Sequence, residues 1–113
     1  MHELAIAQNI IGIVERAARE EGFRRVLEIR LKIGEYSGLV PDCLQEFFPL
    51  AARDSRAEGA ALVIETQPAL FRCDACGHEG EADRKNACCP RCRSSAIRMI
   101  RGREFYVENL KVE

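Results

Sequence analysis

Apolar residues recur at three- and four-residue steps from Glu3 to Glu21: Leu4, Ala7, Ile11, Val14 and Ala18, with Ile10 and Ala17 beside them. That period predicts an amphipathic helix. Arg16, Arg19, Glu20 and Glu21 fall mostly on its outer side, and Gly22 suits the left-handed residue that stops it. From Val26 the period changes to two. Leu27, Ile29, Leu31 and Ile33 share one face and Glu28, Arg30 and Lys32 the other, which predicts a strand packed on one side. Residues 34–40 read as a loop or short irregular strand. Pro41 suits the first turn of a second helix, which would turn Leu44, Phe47, Phe48 and Ala51 to the core. Pro49 removes a hydrogen bond and crowds the turn before it, so this helix is expected to kink or break near Phe48.

A second strand is expected over residues 61–66, with Leu62 and Ile64 on one face and Pro68 ending or bulging it. Residues 96–100 and 104–108 flank Arg101-Gly102-Arg103 and predict a hairpin. Leu110 and Val112 continue the alternation, so the last strand is long enough to return to the first sheet. The fold class that follows is α+β: a small mixed or antiparallel sheet with two helices on one face, plus a separate ribbon. The expected boundaries are an α/β domain over 1–70, completed by the strand 103–113, and a ribbon over 71–102.

The ribbon carries the clearest chemistry. Cys73-x-x-Cys76 and Cys89-x-x-Cys92 are two knuckles separated by a short polar loop. Two residues between cysteines let both thiolates reach one ion while backbone N–H groups of the turn point at the sulfurs. Two knuckles complete a tetrahedral four-sulfur set, whose softness suits zinc or an iron centre, and two C-x-x-C pairs in a small ribbon favour zinc. The competing reading is redox dithiols or disulfides. Four protein thiolates leave no position for water or substrate, so the zinc at Cys73, Cys76, Cys89 and Cys92 is expected to be structural. Cys88 offers a rival to Cys89; spacing prefers Cys89 and leaves Cys88 a spare thiol, with exchange between the two as the alternative. His78 reads as a loop histidine and a minor candidate ligand.

Composition narrows the setting. Six cysteines in a secreted chain would suggest a disulfide scaffold, but four sit at metal spacing and Met1-His2-Glu3 is no basic-then-apolar leader. The expected compartment is the reducing cytoplasm, and no apolar run is long enough to span a bilayer. A net charge of −1 argues against binding nucleic acid by bulk electrostatics. The balance hides an asymmetry: between Arg72 and Arg103 basic residues outnumber acidic ones, so the remainder is acidic. That excess keeps a second functional class in view, a zinc-ribbon adaptor for protein or nucleic acid. Phe71, Phe105 and Tyr106 lie on expected strands, which tells against base stacking. An enzyme is the weakest class, because no nucleophile–base pair is identifiable.

The amino terminus offers a second metal site. The Met1 amine, the amide nitrogen and imidazole of His2, and the Glu3 carboxylate lie within one short stretch, and nitrogen-rich donors suit Ni(II) or Cu(II). Taken alone this is weak, since a histidine after the first methionine is ordinarily solvated. Together with Ile33-Gly34-Glu35 at a strand end, Cys73-x-x-Cys76-Gly77 and Cys89-Pro90-x-Cys92, however, the opening Met1-His2-Glu3-Leu4 resembles the HypA/HybF family of nickel-incorporation proteins for NiFe-hydrogenase. The likeness spans essentially the whole chain. It implies a nickel metallochaperone in which His2 binds transient Ni(II) cargo, with Glu3 secondary. It implies, as partners, a HypB-like GTPase and a hydrogenase large-subunit precursor; between monomer and homodimer the sequence does not choose. Cys88 departs from the family pattern.

Overall fold

A computed structural model describes residues 3–113, so Met1 and His2 lie outside the described residues. The chain runs α1 (Glu3–Glu21), β1 (Val26–Gly34), α2 (Pro41–Ala52), β2 (Ala61–Gln67), β3 (Leu70–Cys73), β4 (Glu79–Gly80), β5 (Ile97–Arg101) and β6 (Phe105–Val112). One sheet has the order β2-β1-β6, with β1 parallel to β2 and antiparallel to β6. The second, smaller sheet has the order β4-β3-β5, antiparallel throughout.

Helix α1 has the expected span. It buries Ala7, Ile10, Val14 and Ala18, and Gly22 ends it at φ 81° while its N–H bonds the Ala18 carbonyl at 2.8 Å. Ala7, Ile10 and Val14 pack in one cluster with Val26, Ile29, Leu31 and Ile33 of β1 and Leu44, Phe48 and Ala52 of α2. The opposite face of the sheet is polar: Lys32 pairs with Glu65 and Glu108 across three strands.

Four details differ from expectation, each for a local reason. Leu27 is 46% exposed and Val26 is buried instead, because the β1–β6 register shifts between Val26 and Glu28. A bulge at Leu27 swaps which residue faces inward. In α2 the helix runs through Pro49 to Ala52 rather than breaking near Phe48. Leu44, Phe48 and Ala52 lie four residues apart on one buried line, and burying a side chain the size of Phe48 returns roughly 1.5–3 kcal/mol against the roughly 3 kcal/mol of an internal proline. On that line Phe47 points outward and is 39% exposed. Finally, β5 and β6 form no hairpin: β5 pairs with β3 and β6 with β1.

The strands part because Arg101-Gly102-Arg103 crosses between the sheets instead of turning back. Gly102, at φ 143°, is buried, and its carbonyl accepts the Tyr36 N–H at 2.6 Å. Gly34 lies directly against it: a Cβ on Gly34 would sit 2.2 Å from the Gly102 oxygen. Beside this backbone contact, Arg84 donates two bonds to Glu35, at 2.6 and 2.9 Å, and the Ala69 N–H adds a third at 2.8 Å. Tyr36 meets Phe71 edge-on at 6.3 Å, and the Arg84 guanidinium lies 5.2 Å from the Tyr36 ring centre. Glu35 is therefore a clasp between the two sheets.

Two outcomes follow. Gly34→Ala should destabilise the fold by at least the roughly 1–3 kcal/mol of ordinary overpacking, since backbone must move, and this reads as a lower thermal midpoint. Arg84 hydrogen bonding, with the Ala69 N–H second, depresses the Glu35 carboxyl to about 2 from an ordinary 4.5. A depressed acid stabilises the fold above its unfolded value, and that contribution is lost as pH falls from 4.5 through 2. Urea midpoints of wild type and Arg84→Ala should accordingly differ near neutrality and converge as pH is lowered; a gap independent of pH would remove Glu35 from the explanation.

Candidate metal centre

The two knuckles are built alike. In the first, which begins at the end of β3, the Cys73 N–H bonds the His78 carbonyl at 2.9 Å and the Gly77 N–H returns to the Cys73 carbonyl at 2.9 Å. In the second, the Cys89 N–H bonds Ser94 at 2.8 Å and the Arg93 N–H returns to Cys89 at 2.9 Å. Gly77 has φ 79° and Arg93, at the matching position, φ 66°. A left-handed arginine costs roughly 1–2 kcal/mol more than glycine would. Its guanidinium bonds Asp83 at 2.9 Å, which supplies a local offset.

The sulfurs of Cys73, Cys76, Cys89 and Cys92 all lie within 4.8 Å of one another. Cys73 and Cys92 approach to 3.5 Å, Cys76 and Cys89 to 3.7 Å. A tetrahedron with metal–sulfur bonds of about 2.3 Å has edges of about 3.8 Å, so the spacing fits one cation held by four thiolates. Cys73 and Cys89 are buried, and Cys76 and Cys92 form the exposed side. Cys88 is buried outside the group, joined to Asp83 by backbone bonds in both directions. His78, half-buried, is not in it either.

The thiols are electrostatically unequal. The Cys92 N–H, assisted by that of Arg91, points at the Cys89 sulfur and lowers its pKa to about 7 against the cost of burial. Cys92 is pushed up to about 12: the Ser94 N–H opposes the shift, and the sulfurs of Cys73, Cys76 and Cys89 with burial outweigh it. Four close sulfurs resist sharing negative charge unless a cation is among them. With four donors and no adjacent acid–base pair, the group can hold a metal but offers no place for substrate.

The loop between the knuckles contains residues that spacing did not single out. Asp83 accepts the Lys85 and Asn86 N–H groups at 3.1 Å each, and its other oxygen takes the Asn86 amide at 3.0 Å as well as Arg93. Its carboxyl is depressed, first by the Asn86 side chain. The next residue, Arg84, reaches Glu35. An aspartate bonding N–H groups two and three residues on is a turn signal that the sequence does contain.

At the other end of the chain, Glu3 is 7% exposed and its carboxylate accepts the Val40 N–H at 3.1 Å. This ties the first turn of α1 to the start of α2. The expected donors Met1 and His2 lie outside the described residues. No helix among the described residues is long and apolar enough to cross a membrane.

Comparison with known proteins places this geometry in context. The family model described as hydrogenase/urease nickel incorporation, metallochaperone, HypA matches residues 1–112. The chain is 41% identical to the hydrogenase maturation factor HypA of Geobacter metallireducens, with all of both chains covered. It is 40% identical to that of Chlorobium luteolum, covering 100% of this chain and 97% of the relative. Its fold is similar to the solution structure of the Ni metallochaperone HypA from Helicobacter pylori, with a TM-score of 0.71 at 21% identity over 99% of this chain and 97% of that one. The chain therefore belongs to the HypA family of nickel-incorporation metallochaperones for hydrogenase maturation, proteins that carry a metal rather than catalyse a reaction.

Proposed function

We propose that this chain binds Ni(II) at its amino terminus and delivers it to the metal centre of NiFe-hydrogenase during maturation. The whole-chain match to a nickel-incorporation family carries this reading. The donors are the Met1 amine, the His2 amide nitrogen and the His2 imidazole, with Glu3 secondary. Its partners are a HypB-like GTPase and the hydrogenase large-subunit precursor. The ion at Cys73, Cys76, Cys89 and Cys92 is zinc, a reading supported by the all-sulfur donor set and its tetrahedral spacing. When bound, it supplies folding energy to the ribbon and no reactive position.

The adaptor reading loses ground on the ion pairs. Arg72, Arg93 and Arg98 are paired with Glu79, Asp83 and Asp74 of the ribbon itself, and Arg84 with Glu35. Four of the eight basic residues between Arg72 and Arg103 are thus engaged within the molecule and do not stand free for a polynucleotide.

The proposed units are residues 1–70 with 103–113, and 71–102. Metal binding supplies roughly 10 kcal/mol or more to modules with little apolar core of their own. Cys73→Ser should lose zinc and unfold residues 71–100 first, while α1 and its sheet keep their hydrogen-exchange protection. Uniform loss across both units would reject the division.

Nickel binding should require a free amine. Placing Gly before Met1 converts that amine to a peptide nitrogen and should weaken Ni(II) about a hundredfold, as should His2→Ala, while zinc content stays unchanged. Protons compete for the amine and imidazole, with ordinary pKa values of about 7.7–8.0 and about 6.5, so affinity should fall as pH drops through that range. Titration of untagged, Gly-extended, His2→Ala and His78→Ala proteins reads this directly. If both the extended protein and His2→Ala bind nickel normally, the proposed site is wrong.

A further inference from the structure

Helix α2 has a second apolar line that the fold leaves uncovered. Its core line is Leu44, Phe48 and Ala52. Val40, at its N-cap, begins the second, followed by Cys43, Phe47 and Leu50. Val40 is 49% exposed, Phe47 39% and Leu50 53%, with Cys43 half-buried between them. The steps are three, four and three residues, the spacing of a seam that receives another helix. Large apolar side chains in one exposed row differ from the scattered apolar residues of an ordinary surface.

Charge indicates what covers it. At helical spacing Asp42 and Glu46 stand one turn apart along one flank of this row, both exposed. No ion pair among the described residues neutralises either of them. Arg53 follows only at the helix end. The other flank leads back through Ala51 toward the core, so the acidic edge is the side a partner meets at its rim. The row also reaches the amino-terminal end of the molecule, because the Val40 N–H is held by Glu3, the residue before the exposed Leu4.

We propose that the Val40–Cys43–Phe47–Leu50 row is a docking seam for an amphipathic helix of a partner protein, with apolar residues at three- and four-residue steps and a basic rim. Helix-in-groove recognition reads such steps as anchors, and opposite charge at the rim sets orientation and association rate. A second copy of this chain is a poor occupant, since it brings the same acidic rim to the contact. The seam goes beyond nickel binding and is independent of the donors proposed above.

The test uses the zinc-loaded full chain and three labelled synthetic peptides. One is helical with leucines at three- and four-residue steps and flanking lysines; the second has the same leucines with flanking glutamates; the third is a scramble of the first. Fluorescence anisotropy should show micromolar binding of the lysine-flanked helix alone. Phe47→Ser with Leu50→Ser, and separately Glu46→Lys, should each weaken it about tenfold or more, which is about 1.4 kcal/mol. Zinc content and thermal midpoint check the fold, and Leu50→Ser alone, at the most exposed position, stands in should the double variant not fold. Equal binding of the scramble or of the glutamate-flanked helix overturns the proposal, as does unchanged binding by the seam variants. Sedimentation showing a wild-type dimer that the seam variants dissolve would overturn it in favour of a second copy. His2→Ala should bind the peptide normally, so failure of the nickel reading and failure of the seam are distinguishable.

Discussion

At the end of β1 two stretches of backbone touch without side chains between them. Gly34 lies against the Gly102 carbonyl at a separation no Cβ could share, and this lets the chain leave the small sheet and enter the large one beside β1. The consequences spread outward from that contact. Tyr36 hangs its N–H on the same carbonyl, Glu35 is brought under Arg84, and β6 starts in register with Ile33. A larger residue at either glycine would push apart a segment through which the chain passes from one sheet to the other. The ion pair beside it is exposed enough for solvent to screen it, so the clasp draws much of its geometry from the backbone and uses charge to choose the loop that closes over it.

Much of this was legible in the chain, and the parts that were not have a common cause. The periods of α1 and β1 came from faces that are buried against one layer, where apolar spacing and geometry coincide. The four cysteines were legible because metal coordination fixes spacing within each knuckle. Periodicity misplaced Leu27 because a bulge changes the phase of a strand without changing its composition. It misplaced Phe47 because α2 carries two apolar rows, and spacing alone ranks neither as the core. Arg101-Gly102-Arg103 has the composition of a turn, and whether such a segment reverses or crosses depends on what waits on the other side. Here Gly34 waits, sixty-odd residues earlier. Glu35 and Arg84 are charged residues outside the strands and helices, and nothing local distinguishes a solvated carboxylate from one that joins two sheets.

The metal group and the joint share a loop. Asp83 faces the second knuckle through Arg93, while Arg84, its neighbour, faces the end of β1 through Glu35. Two successive residues of one short segment thus hold opposite sides. The thiols need a cation to accept their crowding, and the same loop that delivers Cys89 to that cation also supplies the cation that Glu35 requires. Order in one place and order in the other are consequences of a single local conformation.

The outer strand of the larger sheet has a further consequence for how the molecule behaves among its own copies. β6 is paired only with β1, so one row of its amides and carbonyls lies at an open edge. Flat open edges invite strands from other chains. This one is poorly suited to them: its register with β1 slips between Arg30 and Leu31, so the strand bulges at Glu108 and is not flat. Across the sheet, Gln45 of α2 occupies the Leu62 carbonyl on the opposite edge at 2.6 Å. The larger sheet, with three strands and two edges, is thereby irregular at one edge and partly occupied at the other, which makes both poorer templates for a strand from another copy.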